Sequence, residues 1–281
     1  MGVGMLAGIL QIKENLQLRR NGIFRFRSKN SFRLEFGPYL LKTAETSDEL
    51  LESFKLRNEV FNIEFRGLEK TKLDFDKFDS IFDHLLIIHL PTQKVIGTYR
   101  VHCSNQFDQS YTALEFDLEN LNYYKGPYLE LGRACIHKEH RRGAVISLLW
   151  RGIAEYMKMT GAQTLFGCSS LKIHDSRRAA LVFKYLQEKN FVADQLCETQ
   201  RNFMFEDLES WLHHFRNPLT ENQIQEAQSL IPSLLNSYLK LGSKILGKPA
   251  FDRDFDCLDF LTVLNRNELS VSLDRKFSIN R

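Results

Sequence analysis

One span constrains the fold more than any other. Residues 128 to 171 run from an apolar strand, YLELGRACI, through the basic turn HKEHRRG into a helical repeat, and out into TLFGCSSL. Apolar positions 145, 146, 149, 153, 156 and 157 recur at the helical period, so one face of the helix at 143–159 is buried. A strand, a helix and a second strand in succession make a right-handed parallel crossover. Upstream, HLLIIHL (84–90) and KVIGTYRVHC (94–103) flank the short turn PTQ and predict an antiparallel hairpin. A doubly wound parallel sheet needs helices between its early strands, and this chain has none there. The expectation is a mixed α/β sheet with an antiparallel front half and a βαβ unit behind.

The remaining elements follow from the same periods. RLEFGPYLLKTAET (33–46) reads as a strand ending in a turn, and Thr46 and Glu49 have the spacing of a capping box. The helix that follows places Leu50, Phe54, Arg57 and Phe61 on one side, so Arg57 sits in an apolar stripe and needs a partner. Residues 65 to 82 have no steady period and carry Glu69, Asp74, Asp76 and Asp79. A helix is expected over 176–190, a strand near 202–205, helical structure over 221–246 with Pro232 opening its second piece, and a strand at 259–265.

Composition narrows the function. A net charge of +3 is too mild for a nucleic-acid binder. The basic residues are uneven, with Arg19, Arg20, Arg25, Arg27, Lys29 and Arg33 in a stretch without acids. This sets off residues 1–32 as a basic segment ahead of one large domain, 33–281. A peripheral layer on an anionic membrane, a free tail and a helix docked on the body are all consistent with it. No run approaches ~18 apolar residues, the length of a membrane-spanning helix. The five cysteines are scattered with no CxxC pair, which argues for a reducing compartment and against zinc or a disulfide framework. The 22 phenylalanines against 2 tryptophans suit either a packed core or a tunnel for an apolar ligand.

Two places carry chemistry. In ELGR, Glu130 and Arg133 lie three apart on a strand and face opposite sides unless a bulge intervenes, for which Gly132 is suited. The pair reads either as an edge ion pair with a surface charge or as a proton-accepting glutamate with an arginine that orders the acidic loop. At the helix start, Lys138, Arg141, Arg142, Gly143 and Ala144 combine positive charge with free backbone N–H groups, which suits a phosphate. Arg177 and Arg178 repeat that pattern at the next helix. There is no GxxxxGK[ST], GxGxxG or G-x-S-x-G motif, and Cys168 with nearby His174 makes no recognisable nucleophile dyad. The acidic loop lacks the spacing of a calcium site, so no metal is expected.

Three stretches resemble a known family: LELGRACIHKEHRRGAVISLLWRGIAEY, LFGCSSL and IPSLLNSYLKLGSKILGKPAFDRDFDCLDFLTVL. They are similar to the bacterial ornithine-lipid N-acyltransferases, the hemolysin-like branch of the GNAT superfamily, over about residues 35 to 270. That family is in turn similar to acyl-homoserine lactone synthases, through a helix motif met here as LRNEVF, an acidic loop met as DFDKFD and the E-x-x-R strand ELGR. The resemblance implies a GNAT mixed sheet with splayed central strands and a family-specific C-terminal extension from about 208 to 281. It also implies that Arg57, Phe61, Asp76, Asp79, Arg100, Glu130 and Arg133 fall on functional positions. The implied donor is an acyl-phosphopantetheine thioester on acyl carrier protein, or acyl-CoA, and no cofactor is held tightly. The implied acceptor is the α-amine of ornithine, giving lyso-ornithine lipid in the cytoplasm at the inner face of the membrane. The GNAT phosphate signature [QR]-x-x-G-x-[GA] is broken here by His140 and Val145. That loosens the hold on the diphosphate of acyl-CoA and suits the single phosphodiester of a carrier protein.

The expected mechanism is direct attack of the amine on the thioester, without metal or covalent enzyme intermediate. Glu130 is the expected base, with Arg133 and Asp79 beside it. Arg57, Phe61, Asp76 and Arg100 would shape the amine pocket, and backbone N–H groups of Ala134, Cys135 and Ile136 would hold the oxyanion. Lys138, Arg141, Arg142, Arg177 and Arg178 would face an acidic carrier protein. Competing readings are another amino-acid acceptor, S-adenosylmethionine giving a lactone, a binding module for acyl carrier or acyl chain, and a structural protein at the membrane surface.

Overall fold

The computed structural model describes residues 12–68, 73–107, 109–141 and 144–266. The chain forms two compact units, each discontinuous in sequence: Met1–His102 with Leu131–Thr160, and Cys103–Glu130 with Gly161–Arg281. The expected mixed α/β character is present in the described residues of both.

In the first unit, helix α1 (12–20) leads into a short 3-10 turn and then β1 (Arg33–Phe36) and β2 (Tyr39–Thr43). The sequence reading made these one strand. Gly37, with φ of +56°, and Pro38 instead fold the run into a hairpin with Arg33 opposite Lys42. Helix α2 (Ser47–Arg57) starts where expected, with the Thr46 side chain accepting from the Glu49 N–H. It continues into a π-helical stretch, Asn58–Phe65, a widening that often marks a functional segment. Strands β3 (Asp83–His89) and β4 (Lys94–Ser104) form the expected antiparallel hairpin, and β2 pairs with β3. The strand order is β1-β2-β3-β4-β5. Helix α3 (Ala144–Thr160) covers β2 and β3. A Cβ at Gly152 would stand 3.0 Å from Leu41 Cδ1, so glycine is what allows this close approach. Leu18, Ile23, Phe26, Ala44, Leu50, Phe54 and Leu86 form one buried cluster, so the basic N-terminal segment is anchored on this unit from Leu18 onward.

Strand β5 (Tyr128–Ile136) carries the chain between the units. Its first three residues pair in parallel with β6 (Thr164–Leu171), Glu130 lying opposite Phe166. With β7 (Val192–Cys197), β8 (Lys244–Gly247) and β10 (Cys257–Asn265), the second unit's strand order is β5-β6-β10-β8-β7, and β9 (Ala250–Asp252) is added to β10. Strand β10 (Cys257–Asn265) pairs antiparallel with β6 along its length. It is buried at every position but the last, which is why its sequence is nearly continuous in apolar residues rather than alternating. Helix α4 (Ser176–Glu188) is capped by Asp175 and packs with α5 (Leu208–His214) and α6 (Glu221–Leu230).

Two further expectations are corrected here. Residues Arg201–Phe203 make a 3-10 turn rather than a strand, and the strand is β7 (Val192–Cys197). The helical reading of 221–246 holds for α6 and α7 (Ser233–Lys240), but Gly242 at φ of +100° ends the helix, and Lys244–Gly247 is β8. The aromatic residues also find their places. Phe116 is fully buried, and Phe107 lies 4.8 Å from the Tyr128 ring and 5.7 Å from Phe166. These rings are packed core. The core of the second unit is tested at Phe260, fully buried and stacked 6.2 Å from Phe183. Phe260→Ala is expected to cost about 3–5 kcal/mol in denaturant unfolding.

Candidate active site

The first unit holds a buried ionic network made of most of the residues that the sequence singled out. Arg57, at the end of α2, has no solvent exposure. Its Nε donates to Asp74 Oδ1 at 2.7 Å, and its two terminal nitrogens donate to the two oxygens of Asp79 at 2.7 and 3.1 Å. Arg100, on β4, donates to Asp76 Oδ1 at 2.7 Å and Asp79 Oδ1 at 3.0 Å. Arg133 donates to Asp76 Oδ2 at 3.2 Å and stands 3.4 Å from Asp74 Oδ1. The backbone fixes the acids as well: Asp76 caps a 3-10 turn by accepting from the Phe78 N–H, and Asp79 accepts from the Asp76 N–H.

Three arginines meet three aspartates here, and the charges balance. Burial would raise Asp79, but Arg57 and then Arg100 outweigh it and hold the carboxyl far below the usual range. Asp74 is likewise held low, burial being outweighed by Arg57 and Arg133. His84, fully buried beside them, is pushed down to about 4, mainly by burial, and stays neutral. Glu130 and Arg133 were expected to face opposite sides unless Gly132 made a bulge. The irregularity falls one residue later: Arg133 itself has φ of +51°, a left-handed conformation inside a strand. That turn of the backbone accompanies an Arg133 side chain held by Asp74 and Asp76. Phe61 lies half-buried in the π-helical stretch.

Further along β5, Ala134 and Ile136 are half-buried and Cys135 is buried, its thiol pushed well up by burial. The basic turn is partly neutralised. Arg141 forms a two-pronged pair with Glu64 at 2.5 and 2.6 Å and donates to the Ile136 carbonyl. Lys138 is exposed. Arg142 and Gly143 lie outside the described residues, and Ala144 opens α3. In the second unit, Arg177 pairs with Glu226 at 2.7 and 2.9 Å, and Arg178 stands 3.7 Å from Asp175.

The second unit brings together a different set around Glu130, which is 3% exposed. Its Oε1 accepts from the Thr112 N–H and the Thr112 hydroxyl, each at 2.7 Å, and its Oε2 accepts from the Tyr111 N–H at 3.3 Å. The Thr112 hydroxyl also receives the Cys168 thiol at 3.9 Å. Donor atoms of Glu115, Cys168 and Asp259 all lie within 4.8 Å of one another, the one group among the described residues compact enough to hold a cation. The Cys168 thiol is pushed well above its ordinary value by burial, then by Glu115, Asp259 and Glu130, which removes it as a thiolate nucleophile. Sequence reasoning gave Thr112, Glu115 and Asp259 no role. Cys168 and Asp259 do sit inside two of the stretches that carry the family resemblance, LFGCSSL and FDCLDFLTVL. Glu115 stands in a loop with no pattern to mark it.

The network predicts its own sensitivity. Asp79→Asn leaves Arg57 and Arg100 short of countercharge in a buried site, and is expected to cost about 3–5 kcal/mol in denaturant unfolding. With Asp74 and Asp79 held low, their contribution is complete above the ordinary carboxylate value of ~4 and is lost as pH falls below it. An acid titration of wild type should show that loss, and Asp79→Asn should show less of it.

Residues 56–151 match the acetyltransferase (GNAT) domain model, from the end of α2 into α3. The chain is 28% identical to L-ornithine N(alpha)-acyltransferase of Rhodobacter capsulatus over 246 residues, 83% of this chain and 92% of that protein. It is 28% identical to the Rhizobium meliloti protein of the same name over 211 residues, 72% of this chain and 69% of that one. Among solved structures, a CoA-dependent acyl-homoserine lactone synthase, BjaI, with SAM and isopentyl-CoA aligns over 82% of each chain at 16% identity and a TM-score of 0.41. The chain carries the mixed α/β fold of the GNAT acyltransferases.

Proposed function

We propose that this protein is an N-acyltransferase that moves a 3-hydroxyacyl chain from the phosphopantetheine thioester of acyl carrier protein to the α-amine of ornithine, giving lyso-ornithine lipid. The GNAT domain match and the likeness to the ornithine acyltransferases over most of both lengths support this reading. The observation that carries it is Glu130, a buried carboxylate on the central strand with both oxygens oriented by the Tyr111–Thr112 turn. A carboxylate so held is ionised and fixed in position before the amine arrives, which is the pre-organisation an aminolysis base uses.

In this mechanism the amine nitrogen attacks the thioester carbonyl and forms the C–N bond. Glu130 takes the amine proton directly or through one water. N–H groups of Ala134 to Ile136 stabilise the oxyanion, the C–S bond breaks, and the thiolate leaves as the free thiol after taking up a proton. Amide and free thiol account for every atom of thioester and amine. Asp79 and Arg133 act through the Arg57–Asp76–Arg100 network, which holds the loop and strand in place, and Phe61 of the π-helical stretch is proposed to line the acceptor site. Lys138, Arg141 and Arg142 of the first unit are the proposed contacts of the acidic carrier, and Arg177 and Arg178 of the second are a separate basic pair that suits the same partner. At Arg141 the carrier's carboxylates would exchange with Glu64, an exchange that costs little at an exposed pair. The backbone at Gly143 and Ala144 would receive the phosphodiester.

Incubating the purified protein with a 3-hydroxyacyl carrier protein and a panel of amino acids should release free thiol, with ornithine the preferred acceptor by product mass. Glu130→Gln should lower kcat by about 100-fold or more, while the fold loses only about 1–3 kcal/mol from an amide set against the donors of Tyr111 and Thr112. Thiol release with no amine in the panel, or wild-type kcat in Glu130→Gln at every pH, would remove the reading.

A peripheral membrane position belongs to the same proposal. No helix among the described residues is long and apolar enough to cross a membrane. Ile12, Leu16 and Phe24 are exposed, at 62%, 52% and 44%, beside exposed Arg19, Arg20, Arg25 and Arg27. Apolar side chains next to arginines suit an anionic lipid surface. Because Leu18, Ile23 and Phe26 are core, substitution tests this better than deletion. The triple change I12S/L16S/F24S should abolish co-sedimentation with anionic vesicles and leave thiol release in solution intact. Equal binding of wild type to zwitterionic vesicles would contradict it.

A further inference from the structure

Helix α1 has two opposed faces. Ile12, Leu16, Arg19 and Arg20 recur at the helical spacing and share one of them. Glu14 and Leu18 are four apart on the other, about 200° round the helix. The first face is exposed, apolar at Ile12 and Leu16 and basic at Arg19 and Arg20. The second meets the acidic loop. Glu14 Oε1 accepts from the Leu73 N–H at 2.7 Å, one residue before Asp74. Leu73 and Phe75 also pack against the buried cluster that contains Leu18.

The same segment touches the loop twice more. Gly22, with φ of +73°, turns the chain after α1. A Cβ there would stand 3.7 Å from that of Ser80, which ends the 3-10 turn carrying Asp79. Beyond Phe26, the Lys29 and Asn30 N–H groups donate to the two oxygens of Asp83 at 2.8 and 3.0 Å, where the loop runs into β3. Tyr156 of α3 donates to the same carboxylate at 2.7 Å and receives the Asn30 amide at 3.0 Å. Residues 14 to 30 therefore hold the loop at its start, middle and end. These contacts differ in strength. Asp83 is 1% exposed, whereas Glu14 is half-buried on a helix whose one buried residue over 12–20 is Leu18. Local opening starts where burial is least, so the Glu14 contact is the adjustable one.

We propose that Glu14 is a positioning residue for the acidic loop, through which helix α1 makes the acceptor site respond to an anionic lipid surface. The inference rests on the acceptor and membrane readings above and adds the residue that connects them. A surface shifts an equilibrium only when it binds one state better than the other. The docked helix gathers Ile12, Leu16, Arg19 and Arg20 on one side, and an unwound segment does not. Anionic lipid thus favours the docked helix, and the docked helix keeps an acceptor on the Leu73 N–H beside the aspartate that binds Arg57. A loop already ordered costs less to order when the amine binds, which acts on KM. Glu14 touches no reacting atom, so kcat is left nearly unchanged.

The test measures initial rates against ornithine at saturating 3-hydroxyacyl carrier protein, without vesicles, with phosphatidylcholine vesicles, and with vesicles of phosphatidylglycerol in phosphatidylcholine. The anionic vesicles should lower the wild-type KM by about 3- to 10-fold at nearly constant kcat, the range of one hydrogen bond. Phosphatidylcholine alone should not. Glu14→Ala should lose the response, and Glu14→Gln, which keeps an oxygen for the Leu73 N–H, should recover most of it. I12S/L16S/F24S should keep the vesicle-free KM and lose the response. Independently of turnover, amide exchange over residues 73–82 should slow on anionic vesicles in wild type and quicken in Glu14→Ala, with exchange in β10 unchanged. A wild-type response in Glu14→Ala, a response that persists in the triple variant, or a KM raised by anionic vesicles would overturn the inference and leave the acyltransferase reading in place. Thiol release with no amine would defeat the acceptor reading and the KM response with it, and the exchange over 73–82 would still decide whether Glu14 braces the loop.

Discussion

Arg57 is fully buried at the end of α2, and the first unit is arranged around making that tolerable. A guanidinium taken out of water is stable only with its countercharges and hydrogen bonds in place. The loop that carries Asp74, Asp76 and Asp79 is held by that demand, together with its own 3-10 turn capped by Asp76. Arg100 and Arg133 bring strands β4 and β5 into the same network. A helix end, a loop and two strands are thereby joined by directional contacts that apolar packing alone would not specify. Such a network contributes position more than net stability, since its desolvation cost offsets much of its attraction.

The second unit shows the opposite arrangement. Its carboxylates sit beside one another, and the Glu115 carboxyl is pushed well above the usual range by burial and then by Asp259 and Asp252. Its surroundings are otherwise well packed, with Phe116, Leu246 and Leu261 fully or almost fully buried nearby. A carboxyl pushed up in this way keeps its proton, and a neutral acid beside Asp259 and Cys168 is tolerated in a well-packed core without a countercharge. Charge balance therefore separates two clusters that composition alone makes equivalent.

Much of the architecture was legible because long elements announce themselves by period. Strands β3, β4, β6 and β10 and helices α3 and α4 lie within a few residues of where apolar spacing puts them. The failures are short or edge elements. β7 is at the end of the second unit's strand order, and its residues are mostly half-buried or exposed, so no alternation marks it. β8 has four residues directly after a helix, too few for a period to register. The β1–β2 turn at Gly37–Pro38 did carry a Gly-Pro turn signal, and it was passed over because the strands on either side are only four and five residues long. Within the site, Arg57 could be recognised as an arginine in need of a partner, and Glu130 as a strand acid. The left-handed backbone at Arg133 had no local signal, since glycine stands beside it and would ordinarily take that conformation.

The sequence by itself determined the mixed α/β class, the hairpin followed by a βαβ unit, and the types of residue available for acid–base and anion chemistry. These depend on periodicity and composition, which are local. Which acids are neutralised and which are not was decided only by tertiary structure. Arg57 and Asp79 are 22 residues apart, and Cys168 meets Thr112 across 56, so their contacts come from chain topology rather than from any motif. Electrostatics falls off with distance in space and is blind to distance along the chain.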